Sequence, residues 1–207
     1  MSEPAHPLAE ALAHALAARP EPARVLIVGI GSGRNVPPLA AGGAFVDAVE
    51  EDAERAVAAA RRFAATPRVR IVRTHYTGPY PFASSYDAAL ATHALLHGTR
   101  ASVAAALAAV RNGLRPGALL FLTLGSSADP RCGTGRCIEP GVWAALDGPE
   151  AGVPHLYLAE AEARELLAAF EIRSLREAGA AESAGRWAHT EDEAARLVHW
   201  FIEARKP

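Results

Sequence analysis

Three glycines at alternate positions, Gly29, Gly31 and Gly33, follow the β-branched apolar run Arg24-Val-Leu-Ile-Val28, and this junction constrains the fold more than any other stretch. An apolar run without alternation suits a strand covered on both faces, as in a parallel α/β sheet. The glycines open backbone angles closed to other residues and let the main chain approach a ligand. A helix predicted from about Arg34 to Ala41 then turns its free N–H groups and the positive end of its dipole toward that ligand. The spacing fits a dinucleotide poorly, because a Gly-x-Gly-x-x-Gly fingerprint needs its third glycine where this chain has Arg34 or Asn35.

The remainder of the chain is consistent with one α/β domain over residues 1–207. Its 207 residues are 50% hydrophobic, enough for a full core, and a formal net charge of −2 gives no general pull toward nucleic acid. No basic segment precedes the first apolar stretch, and no run approaches the ~18 apolar residues that cross a bilayer, so a cytoplasmic protein without a membrane partner is expected. Cys132 and Cys137 are expected as reduced thiols in such a chain. A lead-in helix is predicted over Pro7 to Ala18, with Leu8, Leu12 and Leu16 on one face beside Ala11 and Ala15, stopped by Pro20 and Pro22.

Ala44 to Glu50 reads as the second strand, and a helix starting at Asp52 is expected to bury Val57, Ala60 and Phe63 or Ala64. Val69 to Arg73 is the third strand, Thr74 to Phe82 a loop, and Ser85 to Thr92 the fourth strand. Thr99 caps a helix to about Arg111, and Leu114 to Leu124 is the fifth strand. Gly125 to Leu158 has no clear period, and a loop of that length is functional or disordered. A helix over Ala159 to Ala169, a strand over Phe170 to Arg176, a loose hairpin tip over Ala178 to Gly185 and a closing strand over Arg196 to Arg205 complete the chain. The clusters Glu160 to Glu165, Glu191 to Glu193 and Arg61-Arg62 read as solvated faces.

The Gly-x-Gly-x-Gly loop with an acid closing the next strand resembles motif I of the class I S-adenosylmethionine-dependent methyltransferases. The resemblance continues in Ser85-Tyr-Asp-Ala-Ala, similar to the strand-four "FD-x-V" of these enzymes, and in Leu114-Arg-Pro-Gly-Ala, similar to their "L-x-P-G-G" turn. Gly135 to Gly141 and Asp147 to His155 resemble stretches of small bacterial methyltransferases of the type 11 branch. The resemblance implies a Rossmann-like, doubly wound seven-stranded sheet, mostly parallel with an antiparallel last strand and helices on both faces. It implies S-adenosyl-L-methionine across the carboxyl edge of the sheet, a helix over residues 1–22 near the cofactor, and a substrate lid over 125–158.

The cofactor-binding residues it implies are Gly29, Ile30, Gly31, Gly33, Asn35, Glu50, Glu51, His75, Tyr76, Thr92 and His93, with Glu50 accepting the ribose hydroxyl protons and Arg34 or Asn35 toward the carboxylate. Related enzymes carry an Asp after strand three for the adenine amino group, where this chain has His75 and Tyr76. The implied partner is a small-molecule methyl acceptor, with oligomeric state open.

Methyl transfer from a sulfonium is an in-line displacement in which alignment supplies most of the acceleration, and a base is needed only for an acceptor that arrives protonated. Candidates near the methyl are His93, His97, Tyr76, His155 and Glu139. His97 is the first of them, at a strand end over the cleft, with His155 joining it as catalytic. No metal is expected: His93 and His97 stand at i, i+4, with His75, Cys132 and Cys137 as further donors, but Ala94 replaces the glutamate of the zinc-protease pattern and one CxxxxC is a weak signal. His199, Trp200, Trp143 and Trp187 read as wall and core. Three rival functions are a non-catalytic sensor of the same cofactor, a nicotinamide-dependent oxidoreductase and a small metal-binding protein.

Overall fold

The computed structural model describes residues 3–82, 85–179 and 196–207. Five strands, β1 (Arg24–Val28), β2 (Phe45–Glu50), β3 (Val69–Arg73), β4 (Tyr86–Ala91) and β5 (Leu114–Ser126), pair in parallel in the order β3-β2-β1-β4-β5. The last strand, β10 (Val198–Arg205), runs antiparallel to β5 on one side and to β9 (Glu171–Gly179) on the other. Those seven strands are the doubly wound sheet that the sequence implies.

Helices cover both faces because the sheet residues are apolar on both. Along β1, Leu26 and Val28 face a core shared with α4 (Arg100–Gly113) and α5 (Glu160–Leu166), while Val25 and Ile27 face a second core shared with α1 (Pro7–Ala17), α2 (Val36–Ala41) and α3 (Ala53–Arg62). The helix starts carry their own stop signals. Thr99 accepts from the Ser102 N–H at the head of α4, Asp52 from the Arg55 N–H at the head of α3, and the His6 ring from the Leu8 N–H at the head of α1. Among the described residues, no helix is long and apolar enough to cross a membrane.

The buried faces of two helices differ from expectation. The buried stripe of α3 is Ala56, Ala59 and Phe63, whereas Val57 is 51% exposed and Ala60 and Ala64 are exposed too. Methyl groups let α3 lie close to β2 and β3, and the bulky Phe63 ring at its C-cap fills the space beneath the glycine loop. On α1, similarly, Ala9 joins Leu8 and Leu12 in the core and Ala15 is exposed.

Residues 125–158 are not an aperiodic loop. They hold three short strands, β6 (Arg136–Glu139), β7 (Val142–Ala144) and β8 (Pro154–Leu158). β8 continues β5 in parallel through Gly125 with Tyr157 and Ser126 with Leu158, and β7 and β6 follow as antiparallel neighbours, so the sheet has ten strands among the described residues. A Cβ at Gly125 would lie 2.4 Å from the Leu156 carbonyl oxygen, so glycine is what lets β8 dock there. The buried Asp129 carboxylate accepts from the Val198 and Arg131 N–H groups, tying the segment to β10. Of the expected hairpin tip, Ala178 and Gly179 close β9; 180–185, Trp187 and Glu191 to Glu193 lie outside the described residues.

Candidate functional site

Where β1 ends, the Gly29 and Ile30 N–H groups both donate to the Val49 carbonyl, swinging the chain out over the sheet edge, and the Gly33 N–H closes the turn onto the Ile30 carbonyl. The glycines differ in purpose. A Cβ on Gly33 would meet the Phe63 ring at 2.6 Å, and one on Gly29 would meet Ala94 at 2.5 Å, so both are needed for packing. Gly31 (φ +51°) has nothing within 4 Å of a Cβ position and faces open space, so a ligand can come close to the chain there.

Beside it, Glu50 is 1% exposed at the end of β2. One carboxylate oxygen accepts from the Gly31 N–H (3.3 Å). The other accepts from the N–H groups of Glu51 (3.1 Å) and Asp52 (3.2 Å) and from the Tyr76 hydroxyl (3.2 Å), with the Arg55 Nε at 3.5 Å. Fixed main-chain donors therefore position this acid before any ligand arrives. Burial, together with Glu50 and Glu51, raises the Tyr76 hydroxyl pKa well above its usual value, so the phenol stays protonated as a donor.

These groups open on a cleft of about 330 Å³. Of the residues singled out in the sequence, Gly29, Ile30, Gly31, Arg34, Asn35, Glu50, Tyr76, Thr92, His93 and His97 line it. Gly33 turns toward Phe63 instead. Glu51 lies outside the lining and accepts from the Tyr76 N–H (2.6 Å) with His75 at 3.7 Å, and the His75 side chain is 83% exposed. Asn35 is a tether: its oxygen accepts from the His6 N–H (2.9 Å) and its amide donates to the Thr92 hydroxyl (2.8 Å). Arg34 is buried, with Glu3 at 3.4 Å.

Below the cleft, His93, held at φ 54° with its N–H on the Thr123 hydroxyl (2.7 Å), packs edge-on against His6 (5.2 Å) and His199 (4.7 Å). Burial, reinforced by Arg34, lowers the His6 pKa to about 3, and burial with the neighbouring His199 holds His93 well below 6.5, so both rings are neutral.

Sequence reasoning missed Ser32, Arg55, Ala94, Pro149 and Glu150 in the lining. Glu150 matters most. It stands in the turn Gly148 to Gly152, and its carboxylate reaches His97 Nε2 (3.5 Å), His155 Nε2 (3.2 Å) and Arg131 Nη1 (3.7 Å). Burial pushes its pKa up, but the two imidazoles outweigh that and hold it below the ordinary carboxylate range. His155 does not line the cleft; it supports Glu150 from behind at 5% exposure. Glu139 is spent at the head of α4, accepting from the Arg100 N–H (2.7 Å), and Cys132 and Cys137 are free thiols, half-buried and exposed respectively. Trp200 is a core residue as expected, its indole N–H on the Leu158 carbonyl (2.8 Å).

Residues 25–117 match a family model described as a methyltransferase domain. No curated protein matches the sequence. Among solved structures, an S-adenosylmethionine-dependent methyltransferase of Methanosarcina mazei is similar at TM-score 0.73 and 22% identity over 91% of this chain and 94% of that one. The 1,6-didemethyltoxoflavin-N1-methyltransferase of Burkholderia thailandensis, with its bound acceptor and S-adenosylhomocysteine, is similar at TM-score 0.68 and 26% identity over 96% and 76%. A glycopeptide N-methyltransferase complexed with S-adenosylmethionine is similar at TM-score 0.63 and 19% identity over 98% and 95%.

Proposed function

We propose that this chain, which belongs to the class I S-adenosylmethionine-dependent methyltransferases, moves the methyl group of its cofactor onto a small-molecule acceptor bound in the cleft. A lone pair of the acceptor attacks the methyl carbon in line, the carbon–sulfur bond breaks with its electron pair going to sulfur, and S-adenosylhomocysteine leaves. The observation that carries this reading is Glu50, a buried carboxylate held by backbone donors beside the open face of Gly31 in the cleft wall.

In this reading the ribose hydroxyls donate to Glu50, Tyr76 walls the adenine in place of the family's Asp, and Arg34 exchanges Glu3 for the carboxylate of the methionine moiety. Segment 125–158 forms the acceptor side, reaching the cleft through Pro149 and Glu150. A proton carried by the acceptor leaves toward His97, Glu150 and His155. A small acceptor is supported by the limited volume of the cleft, which falls in the range of about 300–1,000 Å³ typical of small-molecule sites, and by the small acceptor in the Burkholderia structure.

The test is calorimetric titration with S-adenosylmethionine and S-adenosylhomocysteine. The wild type binds both. Glu50→Ala loses two charge-assisted hydrogen bonds, about 3 kcal/mol or roughly a hundredfold in affinity. Absence of binding by folded wild-type protein would overturn the proposal, as would unchanged affinity in the variant.

A further inference from the structure

We propose that His97, Glu150 and His155 bind one divalent transition-metal ion, and that this ion takes an oxygen of the methyl acceptor. One donor atom from each residue lies within 4.8 Å of the others, and no ion need be invoked to bring them there, because main-chain pairing does so. The Leu156 N–H donates to the Leu96 carbonyl (2.8 Å) and the Gly98 N–H to the Pro154 carbonyl (2.8 Å). His97 and His155 are thereby directly opposite in an antiparallel bridge whose own amides do not pair, the arrangement that brings side chains closest. Their rings sit 4.7 Å apart at 88°, and the Gly148 to Gly152 turn delivers Glu150 against both.

Three features distinguish this cluster from a plain ion pair. The Nε2 atoms stand 3.5 and 3.2 Å from different oxygens of the carboxylate, and neither contact has hydrogen-bond geometry. Two ligands held about 2.05 Å from a tetrahedral ion are about 3.3 Å apart, a spacing that the two nitrogen–oxygen separations match. Finally, His155 Nδ1 lies 2.9 Å from the Val153 carbonyl, which can only accept; Nδ1 therefore carries a proton, and Nε2 is the nitrogen that turns its lone pair to an ion when it gives up its own proton. A backbone carbonyl on the distal nitrogen is the usual support of a metal-binding histidine.

Two imidazoles and one carboxylate select a nitrogen-seeking ion such as Zn²⁺ or Co²⁺ over Mg²⁺ or Ca²⁺. Arg131 also faces Glu150 at 3.7 Å, but its fork is engaged with Asp129 at 3.0 and 3.3 Å, leaving it as an outer positive neighbour.

Three protein ligands leave a coordination position open, and His97 and Glu150 both line the cleft. An acceptor hydroxyl bound there loses its proton to solvent more readily, since a coordinated divalent ion lowers the pKa of an O–H group by several units. The resulting oxygen lone pair then attacks the methyl carbon, and with the ion bound solvent replaces His97, Glu150 and His155 as the destination of the proton, these three serving as ligands. Ion binding stands by itself; only this use of it rests on the methyl-transfer reading, which it narrows to acceptors bearing a hydroxyl group.

The test is titration of chelator-treated full-length protein with Co²⁺, followed by visible absorption, and with Zn²⁺, followed by calorimetry. One ion per chain is expected, with Zn²⁺ displacing the Co²⁺ bands and Mg²⁺ leaving them unchanged. Glu150→Gln and His155→Ala each weaken binding roughly a hundredfold or more while circular dichroism stays native. His97→Ala, at a 30% exposed side chain, covers the case in which the buried variant does not fold, and His14→Ala on the exposed face of α1 binds as wild type. No saturable binding, or wild-type binding by folded Glu150→Gln and His97→Ala, overturns the proposal. Cofactor titration in the presence of chelator reads the methyltransferase assignment separately, so either can fail without the other.

Discussion

Two groups of histidines meet the same cleft with similar ring geometry and opposite electrostatics. His6, His93 and His199 pack edge-on at 5.2 and 4.7 Å, and His97 and His155 do so at 4.7 Å. In the first group the rings are sealed among Phe201 and the sheet, and the side-chain charges acting on His6 are the positive Arg34 and Arg176. In the second, the carboxylate of Glu150 faces the Nε2 atoms of both rings. One group excludes positive charge and serves as a neutral floor; the other gathers around a negative charge and suits a cation. Residue type is the same in both, and the neighbours decide its chemistry.

The first group makes the sharper prediction about acid. An unfolded histidine titrates near 6.5, while His6 in the fold titrates at about 3 and His93 well below 6.5. As pH falls below 6.5, the unfolded chain takes up protons that these rings refuse, so stability present above 6.5 is lost progressively on acidification. At pH 5 the loss from His6 is about 2 kcal/mol, and His93 adds to it in the same direction. Urea unfolding at pH 7 and pH 5 measures it. His6→Asn, which keeps an acceptor for the Leu8 N–H at the head of α1, should remove about 2 kcal/mol of the acid loss. An acid loss of the same size in the variant would mean that His6 is not a buried neutral ring.

For the second group the corresponding perturbation is a metal ion. An ion that binds only the folded protein at a hundred times its dissociation constant stabilises it by about 2.7 kcal/mol, which raises the melting temperature of a chain this size by roughly 5–11 °C. Zn²⁺ should produce this shift in the wild type and not in Glu150→Gln. An equal shift in His93→Asn would be expected, since the first group is no part of the site. Loss of the shift in that variant would erase the distinction between the two groups.

The parts of the molecule visible in the sequence are those set by neighbours along the chain. β3 spans the predicted Val69 to Arg73, Thr99 caps α4, and the path from Gly29 to Gly31 beside Glu50 follows from a strand, a glycine turn and a second strand whose pairing is parallel and local. Glu150 was invisible for the opposite reason. It sits in Asp147-Gly-Pro-Glu-Ala-Gly, where the resemblance gives Glu150 no role, 53 residues beyond His97, and meets that ring only because β8 docks on the end of β5. Strands of three to five residues such as β6, β7 and β8 are too short for alternation to register, which is why 125–158 reads as a loop. On α3 the expected stripe ran through Val57 and Ala60, whereas the close approach to β2 and β3 selected the methyl groups of Ala56 and Ala59.

The smallest expected effect tests whether the cofactor end and the histidine–carboxylate end are separable. Glu50 is held by Gly31, Glu51, Asp52 and Tyr76, whereas Glu150 is held by His97, His155 and Arg131, and the two sets share no residue. Substitutions without common partners act independently to within about 0.5 kcal/mol. Glu150→Gln keeps the shape of the side chain, so its dissociation constant for S-adenosylhomocysteine should stay within roughly twofold of wild type, against roughly a hundredfold for Glu50→Ala. The neutral product is the right ligand for this comparison, because the sulfonium of S-adenosylmethionine would also sense the lost negative charge across the cleft. A change well beyond twofold for the product would mean that the turn bearing Pro149 and Glu150 takes part in holding the cofactor, and that the cleft is a single coupled site.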